Sequence, residues 1–163
     1  MKLEDKDFLQ VVTHTPLVAI DLIVKDERGA VLLGLRKNKP AQGFWFVPGG
    51  RIYKDERVAE ALARIGRDEL RIPLEPENIR FLGVFEHLYE DNVAGAPGIS
   101  THYVVLGCEV LQTVTLTQLP VSQHEDWRFL SVDELLASKD VHPYTKAYFK
   151  ENSETLVLTR KFA

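Results

Sequence analysis

Hydrophobic and polar positions divide the chain into short segments of differing period. Residues 17 to 24, LVAIDLIV, are apolar at seven of eight positions and rich in β-branched side chains. That pattern predicts a strand covered on both faces. ERGA (27–30) reads as a turn and VLLGLR (31–36) as the partner strand of a hairpin. The stretch 38 to 50, NKPAQGFWFVPGG, is rich in glycine and proline around a short aromatic strand at 44 to 47. IRFLGVFEHLY (79–89) and THYVVLGCEV (101–110) read as strands joined by EDNVAGAPGIS, and DWRFLS as a last strand. Helices are expected over about 56 to 70, with Asp55 as cap, and over roughly 143 to 152. Between them SVDE (131–134) has the spacing of a capping box opening a short helix. Mixed strands with helices in the middle and at the end predict an α+β layered architecture.

The middle helix contains a conflict. Val58, Ala61, Leu62 and Ile65 fall at i, i+3, i+4, i+7 and form its core-facing stripe. At about 100° per residue, Glu69 lands roughly 20° from Val58, within that stripe, while Asp68 lies about 80° off at its edge. A carboxylate among apolar neighbours is costly unless it is paired or binds a metal. Asp21 raises the same problem inside the most apolar strand, where it needs a donor or a functional role.

Composition narrows the classes. With 163 residues, 45% hydrophobic and 27% charged, the chain fits one globular domain spanning 1–163. A formal net charge of −4 does not suit a general nucleic-acid binder. Cys108 is the only cysteine, so no disulfide can form within the chain. The longest apolar run is too short for a bilayer, and MKLEDKDFLQ carries acids where a signal peptide is apolar. A cytoplasmic protein without a membrane partner is therefore expected.

Candidate chemistry clusters around the loop and helix. Arg36 ends the second strand, Arg51 follows the PGG turn and Arg64 lies on the helix. Glycines admit an anion close to the backbone, and arginines grip phosphate bidentately. Gln123 and His124 stand together before the last strand, and a neutral imidazole is a natural general base. His87, His102 and Tyr103 lie in strands, with Tyr103 facing away from His102.

GGRIYKDERVAEALARIGRDELRI resembles the Nudix box, Gly-x5-Glu-x7-Arg-Glu-U-x-Glu-Glu-x-Gly-U, with U aliphatic. Gly50, Glu56, Arg64, Glu69 and Ile72 match it, and Asp68 stands for a glutamate. Ile65 replaces the glutamate after the arginine, Gly66 the aliphatic residue and Arg71 the closing glycine. PAQGFWFVPGG upstream and WRFLSVDELL downstream are also typical of the family. The resemblance implies a Nudix fold, with a mixed β-sheet sandwiched between helices. HTPLVAIDL, KNKPAQGFWFVPGGR, THYVVLG and QHEDWRFL are further similar to the GDP-mannose mannosyl hydrolase branch, over roughly residues 7 to 150. That branch lacks the same box glutamate and hydrolyses at sugar carbon 1.

Carried over by position, the resemblance implies one Mg²⁺ per subunit, with Mn²⁺ as substitute, on the Gly49 carbonyl, Glu69 and Gln123. His124 is then the general base, and Arg36, Arg51 and Arg64 contact the diphosphate with Tyr103 nearby. Asp21 and His87 hold or orient the sugar. The substrate is GDP-mannose, with GDP-glucose a second, and the unit a homodimer. Two rivals stand beside this reading: a conventional Nudix pyrophosphohydrolase attacking phosphorus, kept alive by Asp68, and a non-catalytic nucleotide-sugar sensor.

Overall fold

The computed structural model describes residues 3–114, 119–120, 124–150 and 156–158. Helix α1 (Asp5–His14) leads into β1 (Leu17–Val24), an interior strand of a five-stranded sheet ordered β4-β1-β6-β5-β8. Its other members are β4 (Gly49–Arg51), β5 (Ile79–Tyr89), β6 (Thr101–Val110) and β8 (Leu156–Leu158). β1 runs parallel to β6 and the remaining neighbours are antiparallel, so the sheet is mixed. A three-stranded sheet, β3-β2-β7, packs beside it, from β2 (Val31–Arg36), β3 (Trp45–Phe46) and β7 (His124–Leu130).

The apolar run of β1 is buried because both faces are covered. Ile20, Leu22 and Val24 join Ala61, Leu62, Ile65 and Leu70 in one cluster, on the side of the box helix α2 (Val58–Ile65). Ile23 points the other way, among Val31, Leu33, Trp45 and Leu135. Ala19 shares that alternate face with Phe85 and Val105. Asp21 has the parity of Ala19 and Ile23, and is itself 8% exposed.

The expected β1–β2 hairpin is corrected. Asp26 does close a tight turn, its carboxylate accepting from Arg28 and Ala30. Past a single bridge at Lys25 and Val31, however, the two strands enter different sheets. α1 was not expected; it buries only Phe8 and Val12. Asp55 does not cap α2. It takes a left-handed φ of 65° in the preceding turn, and at the helix start the Glu60 carboxylate accepts from the Arg57 amide at 2.9 Å instead. Ser131 and Glu134 cap α3 (Val132–Ala137) as expected. The last described helix, α4 (Pro143–Ala147), is shorter than the expected 143 to 152, whose final two residues lie outside the described ones.

The expected helix over 56 to 70 divides in two. Regular turns end at Ile65, and Gly66–Leu70 form a wide π turn closed by Arg71 at φ 59°. Gly66 is needed there, because a Cβ would sit 2.6 Å from Leu74 Cγ and 2.7 Å from the Ile72 carbonyl. Val58, assigned to the core stripe, is 49% exposed, so that part of the stripe is corrected. Glu69 is buried at 3%, whereas Asp68 faces outward. π turns of this kind commonly occur at functional sites. Among the described residues no helix is long and apolar enough to cross a membrane.

Candidate active site

The start of β1, β4, the π turn and the facing ends of β5 and β6 enclose a cavity of about 410 Å³. Asp21, Arg36, Gly49, Arg51, Arg64, Glu69, His87 and Tyr103 all line it. The sequence expectation for His124 and Gln123 fares differently. His124 does not line the cavity, and Gln123 lies outside the described residues.

At one end the box organises charge. The Glu56 carboxylate accepts from Arg64 Nε at 2.6 Å, Arg64 Nη2 at 2.8 Å and the Tyr53 amide at 2.8 Å. Arg64 Nη2 also donates to the Arg51 carbonyl at 2.7 Å, and its guanidinium stacks on Tyr53 at 4.0 Å. Arg64 thus fastens the loop after β4 to α2, with much of its donor capacity already engaged. Its guanidinium holds the Glu56 carboxyl below the usual range, and Glu56 raises Arg64 in return. Arg51 lies over the Phe8 ring at 3.7 Å, and Arg36 Nε donates to the Pro40 carbonyl at 3.0 Å. Among the described residues neither Arg51 nor Arg36 has a carboxylate within ion-pair distance. Their charge suits an anionic ligand.

Ile65 fills the place of the missing box glutamate. It is 1% exposed and packs on Gly50, where a Cβ would lie 3.1 Å from Ile65 Cγ1. Glu69 is therefore the one buried box carboxylate on the cavity wall, with exposed Asp68 at its rim.

His124 lies behind Glu69. Its Nε2 is 3.3 Å from Glu69 Oε2, and the imidazole is 2% exposed with its centroid 4.4 Å from that of Trp127. Gly34 makes this possible: a Cβ there would be 2.3 Å from His124 Nδ1. The irregular register between Gly34 and Arg36, where β2 meets β7, delivers His124 to that slot. Among the described residues Nδ1 has no hydrogen-bond partner.

The opposite end is aromatic and nearly uncharged. Gly49 lies beside Asp21 in the β1–β4 register, and a Cβ on Gly49 would meet Asp21 Oδ1 at 2.6 Å. Burial pushes the Asp21 carboxyl up to about 7, against the lowering effects of the Tyr148 hydroxyl and Arg36. The Tyr148 hydroxyl donates to Asp21 Oδ2 at 2.6 Å. His87, paired across the sheet with Tyr103, is driven down to about 3 by burial and is neutral at physiological pH. Burial also raises the Tyr89 and Tyr103 phenols. Sequence reasoning missed Tyr144 and Tyr148. Their i, i+4 spacing on a short helix reads as ordinary core, and nothing local links them to Asp21.

Comparison with known proteins agrees with this anatomy. The NUDIX domain family matches residues 15–151. The low-salt glycan biosynthesis protein Agl8 of Haloferax volcanii is 34% identical over 148 residues, covering 90% of this chain and 88% of that one. Two solved structures share the fold. The MutT NUDIX hydrolase of Burkholderia pseudomallei has TM-score 0.63 and 24% identity, over 83% of this chain and 96% of that one. The MutT protein of Methanosarcina mazei Go1 has TM-score 0.60 and 21% identity, over 83% and 92%. With the Glu56–Arg64 clasp and the buried Glu69 in their box positions, the chain belongs to the Nudix hydrolase family.

Proposed function

We propose that the protein hydrolyses a nucleoside-diphosphate sugar at sugar carbon 1, with GDP-mannose or GDP-glucose giving GDP and the inverted free sugar. One observation carries this reading: where the box places a second glutamate on the helix, the cavity has buried Ile65. Attack at phosphorus in Nudix sites draws on several carboxylates to hold more than one cation. Departure of a diphosphate requires only that its charge be met.

Nudix hydrolases generally use a divalent cation, and the donors here fit one. Among the described residues no three His, Cys, Asp or Glu side chains converge on a metal point. Mg²⁺ does not require such a cluster, since it commonly takes one or two carboxylates with substrate phosphates and water. Glu69, the Gly49 carbonyl and Gln123 would hold it, and when bound it neutralises the departing diphosphate. Arg36 and Arg51 supply further positive charge, while Arg64 fixes the loop that carries Arg51. Asp21, His87 and Tyr103 face the sugar end. The sugar reading is in keeping with the name of the Haloferax volcanii relative, a glycan biosynthesis protein.

The proton of the attacking water goes to His124 in this scheme. To take it, the imidazole leaves the Gly34 slot and exchanges Glu69 for the cavity. An unpartnered Nδ1 supports a shallow resting position, since a buried unsatisfied polar group costs about 1–3 kcal/mol.

A second reading, phosphorus attack, is supported by Asp68 on the cavity wall beside Glu69. Hydrolysis of GDP-mannose in oxygen-18 water with Mg²⁺ separates the two. Label in the sugar is expected, whereas label in a phosphate product refutes the proposal. Background turnover across several nucleotide sugars would leave a binding protein instead.

A further inference from the structure

α4 sends two aromatic side chains, one turn apart, toward the sugar end of the cavity. The Tyr144 hydroxyl donates to the Leu88 carbonyl at 2.6 Å and accepts from the Leu88 amide at 2.9 Å. Its ring lies flat on His87, with centroids 4.3 Å apart and planes 1° from parallel. The His142 imidazole caps the helix, accepting from the Tyr144 amide. The base of the helix is thereby anchored to β5.

Tyr148 follows at the C-cap and does not line the cavity. Its ring meets Phe85 edge to face at 4.6 Å. Gly107 leaves room for both rings; a Cβ there would be 2.7 Å from Phe85 Cε2 and 3.2 Å from Tyr148 Cε1. The hydroxyl reaches Asp21 Oδ2 at 2.6 Å and lies 3.4 Å from His87 Nε2. With its hydrogen given to Asp21, only a lone pair remains for His87, which therefore presents Nε2–H. The sequence His87, Tyr148, Asp21 has one direction of donation and ends at a carboxylate. Oδ2 is engaged, and Oδ1, on the Cβ-less Gly49 side, is the oxygen presented to a ligand.

The geometry points to Tyr148 as the positioning residue that sets Asp21, and through it the orientation of the substrate's sugar. Tyr148 acts through Asp21 without touching substrate. The inference rests on the reading above that Asp21 faces a sugar. Packing at Phe85 and Gly107 belongs to the ring, whereas the alignment belongs to the hydroxyl, so the two can be separated by removing one oxygen.

The test is Tyr148→Phe, alone and combined with Asp21→Asn, with kcat/KM on the hydrolysed nucleotide sugar and affinity for GDP measured in each. Assayed above pH 8, where Asp21 is ionised, a lost hydrogen bond to a charged group predicts about a tenfold to hundredfold fall in kcat/KM for Tyr148→Phe. The double variant falls no further than Asp21→Asn alone, within about twofold. GDP affinity stays within about twofold, because the diphosphate end is untouched. Losses that multiply in the double variant, a fall below threefold in the single one, or weakened GDP binding overturn the inference. Label appearing in phosphate would sink the carbon 1 reading alone, since the cycle can be run on that reaction. If Tyr148→Phe does not fold, the wild-type complex with nucleotide sugar decides. A sugar hydroxyl on Asp21 Oδ1 with Oδ2 still on Tyr148 is expected, and Asp21 turned away from Tyr148 overturns it.

Discussion

Gly34→Ala adds one methyl group and tests the resting position of His124. Gly34 has ordinary strand backbone, so alanine brings no torsional strain of its own. Its Cβ would lie 2.3 Å from His124 Nδ1, 2.5 Å from Cγ and 2.9 Å from Cε1. Carbon and nitrogen atoms in contact sit about 3.5 Å apart, so the ring must retreat by roughly 1 Å or leave. Retreat is opposed by Trp127 on β7, so departure from Glu69 is expected. Overpacking of this kind costs about 1–3 kcal/mol. For a domain of this size that lowers Tm by roughly 2–12 °C. Catalysis should respond differently. If His124 works from the cavity, Gly34→Ala keeps activity within about tenfold of wild type, while His124→Ala loses about 10²–10⁴-fold in kcat. Scanning calorimetry and steady-state kinetics on the three proteins measure both. A Gly34→Ala enzyme as impaired as His124→Ala would mean that the buried pose beside Glu69 is the working one, and the assignment of the base would fall. An unchanged Tm would mean that His124 does not occupy the slot at all.

Two further substitutions probe burial and backbone. Burial holds the Asp21 carboxyl up at about 7, so the folded protein keeps a proton that the unfolded chain has released. Stability from that source is full below about pH 4 and is lost as pH rises through 7. Relative to Asp21→Asn, the wild type should therefore weaken between pH 4 and pH 8, by roughly 4 kcal/mol at most; urea melts showing a flat or opposite difference would contradict the burial. Arg71 is exposed and left-handed at φ 59°. Arg71→Gly should raise stability by about 0.5–1 kcal/mol, because the strain relieved exceeds the chain entropy lost, and a lower Tm would show that the arginine side chain has a structural role.

What could be read from the sequence depended on how locally each feature was determined. The bounds of β5 and β6 follow from apolar runs closed by turn residues, and the structure reproduces both. Burial of Glu69 followed from helical phase, though the π turn that realises it depends on Gly66 packing against Leu74, eight residues on. The β1–β2 hairpin was misjudged because alternation states that a strand exists, not which strand it joins. β1 pairs along its whole length with β6, 86 positions away, rather than with its sequence neighbour. Asp55 had a capping residue's chemistry, but the tight turn took it first. The active-site residues follow the same division. Asp21 and Glu69 declared themselves as charges in apolar surroundings, which a sequence can display. Gly34 and Tyr148 did not, because a strand glycine signals only that something approaches closely, and a helical tyrosine is ordinary core until its hydroxyl finds a partner. Those partners, His124 and Asp21, lie 90 and 127 positions away. Charges in the wrong place mark where a site is, whereas the groups that hold those charges in position are found only once the chain has folded around them.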